Sequence, residues 1–156
     1  MNGIFQQIQD EFSTLKSKLE NCLPKYANHI IGTYNERLCP EIQFIGIEAL
    51  KPQDIPYNIA ENGVYIRFKI NFINKSVEVF TYGHIYLSKE EQEATNLAMA
   101  SIKQIAVARN VKWFRKQKYK SIDDLYKRIT DFYERAMSAV NDYTQGYPFK
   151  HGIGWV

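Results

Sequence analysis

Apolar side chains return every three or four residues at the start of the chain, at Ile4, Ile8, Phe12, Leu15, Leu19 and Leu23. Gln, Asp, Glu and Lys fill the positions between, so this stretch predicts an amphipathic helix with one buried face. Pro24 ends or kinks it, because proline lacks the N–H that a helix interior uses. Residues 26–34 suit a short second helix, punctuated by Gly32, Asn35 and Pro40.

From Glu41 the period drops to two. Ile42 with Phe44, or alternatively Ile45 with Ile47, marks a first strand, and a polar loop with Pro52 and Pro56 follows over residues 51–62. The clearest strand comes next: Val64, Ile66, Phe68, Ile70 and Phe72 alternate with Tyr65, Arg67, Lys69 and Asn71. Asn74 and Lys75 predict a two-residue turn, and the return strand runs over residues 76–87 with Val77, Val79, Thr81, Gly83, Ile85 and Leu87 on one parity. That turn sets Phe72 opposite Val77 and Ile70 opposite Val79. On the other face Tyr65 then meets His84, Arg67 meets Tyr82, Lys69 meets Phe80 and Asn71 meets Glu78. A different turn changes these partners, yet parity keeps Tyr65, Arg67 and Lys69 together.

Helical spacing resumes at Ser88-Lys89-Glu90-Glu91, a capping-box pattern. Ala94, Leu97, Ala98, Ser101, Ile102, Ile105 and Ala108 form a narrow face suited to close packing. In the same register Arg109, Lys112, Arg115 and Lys116 fall where the apolar stripe ran, so the helix either passes the edge of the core or breaks near Asn110. Ser121 and Asp124 repeat the cap pattern and open a helix with Ile122, Leu125, Ile129, Phe132, Tyr133, Ala136, Val140 and Tyr143 on one stripe, ending near Gly146. The closing residues 147–156 are apolar without period and read as an arm packed on the body. The expected fold is α+β: an N-terminal helix, a three-stranded antiparallel meander, then two long helices and a C-terminal arm, in a single domain over residues 1–156.

Composition supports a packed domain, with 45% apolar and 14% aromatic residues. The first residues lack the basic-then-apolar order of a signal peptide, and no run approaches a membrane span, so a cytoplasmic location is expected. Cys22 and Cys39 are then expected as free thiols. Charge alters the picture more than composition does. The net charge is +3, whereas residues 94–120 alone carry seven cations and no carboxylate, so the charge is polarised.

Catalytic chemistry finds little support. His29, His84 and His151 have no second ligand at metal-site spacing, and no phosphate-loop, dinucleotide, zinc-protease or nucleophile-elbow motif occurs. Asp123 and Asp124, like Glu90, Glu91 and Glu93, are explained by the favourable field at a helix start. The expectation is a non-enzymatic module without metal or cofactor that binds nucleic acid or another polyanion.

Its cations are Arg109, Lys112, Arg115, Lys116, Lys118 and Lys120, aided by Arg67 and Lys69, because convergent Lys and Arg side chains neutralise a phosphate backbone without reading sequence. Tyr65, Phe80, Tyr82 and Tyr119 are the candidate stacking platforms, unless the N-terminal helix or C-terminal arm covers the strand face. Trp113 and Phe114 serve equally as anchors of the helix end in the core. The rival reading is a protein-interaction module, a homodimeric adaptor or an immunity or inhibitor-type protein, which includes an acidic protein as partner. It rests on a surplus of apolar faces over what one small sheet buries. A third reading, an enzyme, requires His84, Tyr65 and a carboxylate such as Glu78 or Glu61 in one cleft.

Overall fold

The computed structural model describes residues 2–22, 29–36, 39–48, 65–87 and 89–143. Helix α1 (Asn2–Cys22) follows the predicted stripe, and Ile8, Leu15 and Leu19 are buried on it. Ile4 lies on the same stripe but is exposed.

Three strands form the centre of the fold, as the alternation predicts: β2 (Cys39–Glu48), β3 (Tyr65–Asn71) and β4 (Ser76–Tyr82), all antiparallel. Both pairs proposed for the first strand belong to β2. Ile45 and Ile47 sit in the core opposite Phe68 and Ile66, while Phe44 lies on the other face opposite Lys69. The sheet extends on both sides. Of residues 26–34, expected as a short second helix, residues 29–34 belong instead to strand β1 (His29–Glu36), which pairs with β2 through two irregularities and lets Gly32 stand opposite Gly46. Pairing along a ready strand edge overrides a weak local helical tendency. On the far side the two-residue strand β7 (Gln117–Lys118) joins β4, giving the order β1-β2-β3-β4-β7.

The β3–β4 register differs by two residues from the expected one: Ile70 faces Val77, Phe68 faces Val79, Lys69 faces Glu78, Arg67 faces Phe80 and Tyr65 faces Tyr82. The cause is Asn71. Its Oδ1 accepts from the N–H groups of Ile73 (3.0 Å) and Asn74 (2.9 Å), so the turn occupies residues 72–75 instead of two residues, with Lys75 left-handed at φ 53°. A shift of two preserves parity, and Ile66, Phe68, Ile70, Val77 and Val79 are all buried.

The return strand stops at Tyr82. Gly83 takes φ 102°, and the chain enters a second sheet in which β5 (His84–Tyr86) pairs with β6 (Met99–Ser101). The long helix expected over residues 89–108 is therefore two short ones, α2 (Lys89–Thr95) and α3 (Ile102–Ala108). Asn96 ends the first in a left-handed conformation at φ 60°. Ser101 caps the second, with Gln104 donating its backbone N–H to the Ser101 hydroxyl (3.1 Å) and accepting the Ser101 N–H on its side chain (2.8 Å). Accordingly Ala94, Leu97, Ala98 and Ala108 are exposed, and only Ile102, Ile105 and Ala106 of this region's helices enter the core. The cap assigned to Ser88 lies outside the described residues.

Helix α4 (Ile122–Tyr143) fulfils its pattern: Leu125, Ile129, Phe132, Tyr133, Ala136 and Val140 are buried. It packs on α1 and α3, so these helices share the apolar face of the sheet. Burial pushes the Tyr133 hydroxyl pKa upward. The arm over residues 147–156 lies outside the described residues.

Candidate functional site

The cationic stretch is no helix end. Helix α3 stops at Arg109, Asn110 turns left-handed at φ 63°, and the N–H groups of Asn110 and Val111 return to the carbonyls of Val107 (3.0 Å) and Ala106 (2.8 Å). This is a Schellman closure, and it converts residues 111–116 into an irregular segment leading to β7. Of the two outcomes open in the sequence, the break near Asn110 is the one adopted.

Rings hold the segment in place. Trp113 packs edge-on against Phe132 at 5.3 Å between ring centres and lies 6.3 Å from Phe68, while Phe114 packs on Phe132 at 5.4 Å. Both residues are anchors. Tyr119, expected as a stacking platform, is instead buried at 5% exposure, with its N–H donated to the Lys75 carbonyl (3.0 Å) and its hydroxyl pKa raised by burial and by the Glu11 charge. A ring enclosed in the core has no face left for a base. The 72–75 turn receives a second tie from Lys118, whose Nζ donates to the Asn74 carbonyl at 2.9 Å.

The predicted cations go to different places. Arg109 reaches back to Glu91 (Nη2 to Oε1, 3.0 Å) and bridges α3 to α2. Lys112, Arg115, Lys116 and Lys120 are exposed along the segment. Lys118 stands opposite Ser76 in the β4–β7 ladder, which puts it on the face of Glu78 and Phe80. The same face holds Arg67 and Lys69. Lys118 therefore shares a face with Arg67 and Lys69 across β4, with Glu78 on the same face.

This face lies opposite α1 and α4. Phe80 is 39% exposed and Tyr82 46%, and the Arg67 guanidinium stacks on Phe44 at 4.0 Å. The N-terminal helix proposed as a cover thus packs on the other side of the sheet, and the C-terminal arm, the other proposed cover, lies outside the described residues. Tyr65 shares the backbone row with Tyr82, whereas His84 has left for the second sheet, opposite Ser101. Of the His84, Tyr65 and Glu78 or Glu61 set required for an enzyme, His84 stands in the second sheet and Tyr65 and Glu78 in the first, while Glu61 lies outside the described residues. Among the described residues no group of three His, Cys, Asp or Glu side chains is placed to hold a metal ion, and no helix is long and apolar enough to cross a membrane.

A concavity that the sequence does not announce lies on the helix side of β7. Asn110, Lys112, Trp113 and Gln117 form one wall, and Arg128, Asp131, Phe132 and Arg135 of α4 form the other, enclosing about 550 Å³. The spacing of the α4 residues is the only signal that could have found them: positions 128, 131, 132 and 135 share one helix face. Compared with protein-family models, curated proteins and solved structures, the chain matches none.

Proposed function

We propose that the protein binds single-stranded nucleic acid on the open face of its sheet, through Arg67, Lys69 and Lys118, with Arg115, Lys116 and Lys120 continuing the track along the edge. The observation that carries this reading is the register of β7, which sets Lys118 beside the strand that exposes Phe80 and Tyr82. Aromatic rings flanked by cations offer both terms that a single strand needs: a flat apolar surface for bases and positive charge for phosphates. Lys112 and Arg109 contribute less directly, since one lines the concavity behind β7 and the other pairs with Glu91.

Fluorescence anisotropy with labelled dT20 and rU20 over rising salt tests it. Affinity is expected to fall linearly on a log–log plot, with a slope that shrinks by about 0.7 for each phosphate contact removed. The combined variant K69Q/R115Q/K116Q/K118Q should lose most of the affinity while melting near the parent temperature. Unchanged binding in a folded variant rejects the proposal. Exposed Phe80, Tyr82 and Ile73 also favour the rival reading of a surface for a second copy of the chain or another protein. A concentration-dependent dimer by sedimentation, with no oligonucleotide binding, would select that rival.

A further inference from the structure

The concavity behind β7 is rich in donors and poor in acceptors. Among the described residues three cations line it, Lys112, Arg128 and Arg135, together with the side-chain amides of Asn110 and Gln117 and the ring of Trp113, and Asp131 is the one carboxylate. That carboxylate is already engaged, because Oδ1 of Asp131 accepts from Nε of Arg135 at 3.1 Å. Arg128 is also fixed in direction. Its Nε donates to Asp124 (3.1 Å) and its Nη1 to Gln117 (3.0 Å), so its guanidinium fork is oriented before any ligand arrives. Arg128 and Arg135 lie two helical turns apart, roughly 10 Å along the axis of α4, with the ring of Phe132 between them.

Two features of Trp113 mark the same place independently. It holds φ 102°, a left-handed conformation that is costly for a bulky residue. Its Nε1 is buried and finds no acceptor among the described residues, which is unusual for an indole N–H. The strained residue thus lines a cationic cleft of small-ligand size, with its covered indole N–H behind the cleft wall as a reporter of the site and not as a ligand contact.

From these observations we infer that the cleft is a binding site for a phosphate monoester, with Lys112, Arg128 and Arg135 as the anion-binding side chains. Guanidinium groups match phosphate oxygens in two-pronged geometry, and the rings of Trp113 and Phe132 supply an apolar floor for the group that the phosphate carries. The site stands apart from the open sheet face. Gln117 stands opposite Val77, a core residue, so the cleft opens on the α4 side of β7 while Lys118 faces the other way.

Indole resonances in nitrogen–proton correlation spectra of the full chain provide the test, with W155F identifying the Trp113 peak. Inorganic phosphate and 5′-AMP, each against chloride at equal ionic strength, should move the Trp113 peak in a saturable way. A decamer of dT carrying a 5′-phosphate and its 5′-hydroxyl counterpart separate the two sources of the group. Movement with AMP assigns a free monoester, and movement with the phosphorylated decamer alone assigns a strand end. R135Q and K112Q, at exposed positions, should each weaken the response at least about tenfold, whereas D131N should strengthen it by releasing Arg135. A purely structural cluster would not gain affinity in D131N. No saturable movement with any phosphate, or a response indifferent to R135Q and K112Q in folded protein, overturns the assignment. Binding of the 5′-hydroxyl strand elsewhere reports separately on the sheet face.

Discussion

The two faces of the central sheet come from the same strands and have unlike chemistry. Toward α1 and α4, Ile45, Ile47, Ile66, Phe68, Ile70 and Val77 show 0% exposure. On the reverse, Arg67, Lys69, Glu78, Phe80 and Tyr82 alternate charge with rings and stay open or half-open. The difference teaches that a half-buried sheet separates its two tasks by parity alone. One face supplies stability through apolar area removed from water, and the other is free to carry binding chemistry because little stability depends on it.

The strongest way to break that contrast is F68A. Phe68 is fully buried against Trp113 and Phe132, so its truncation is expected to cost about 3–5 kcal/mol in chemical denaturation. F80A on the opposite face should change stability by no more than about 0.5 kcal/mol. Its effect should fall on oligonucleotide affinity instead, by about 1–3 kcal/mol in anisotropy. A large loss of stability in F80A would refute the division between faces.

Register sharpens the comparison at a smaller energy. N71A removes the acceptor of the Ile73 and Asn74 N–H groups and is expected to cost about 1 kcal/mol. Cross-strand proton contacts between Phe68 and Val79 should weaken if the hairpin slips toward the two-residue turn. The apolar face would survive such a slip, because the two registers differ by an even number.

The smallest effect concerns the cover over the apolar face. Asp124 accepts the Lys120 N–H at 2.8 Å and pairs with Arg128; these interactions hold its pKa below the usual carboxylate value, with the backbone hydrogen bond contributing most. A depressed folded-state pKa means that this stabilisation is complete above the unfolded value, about 3.9, and fades as pH falls through the lower folded value. Thermal melts should therefore separate wild type from D124N near neutrality and bring them together in acid. A difference that persists unchanged in acid would exclude the carboxylate as its source.

Periodic signals were legible wherever a local rule was also the deciding one. The Leu125 to Val140 stripe and the Ile66 to Phe72 alternation needed only a period and something apolar to face. The signals at Asn96 and at Ser101 with Gln104 were also present, but a continuous alanine-rich stripe masked the break they encode. At residues 29–36 the deciding partner was the edge of β2, which no local pattern contains. The candidate site divides in the same way. Arg67, Lys69, Phe80 and Tyr82 were readable as one face, while the burial of Tyr119 and the pairing of Arg109 with Glu91 were not.

By itself the sequence determined the α+β order, the parity of the hairpin and the buried stripe of α4, since each follows from spacing within one segment. Tertiary structure alone decided that the basic segment runs irregularly into the two-residue edge strand β7, that Lys118 joins the face of Arg67 and Lys69, and that Arg128 and Arg135 line a cleft with Trp113. Those outcomes depend on contacts between residues far apart in the chain. Their energies exist only once the sheet edge and the helix face have been brought together.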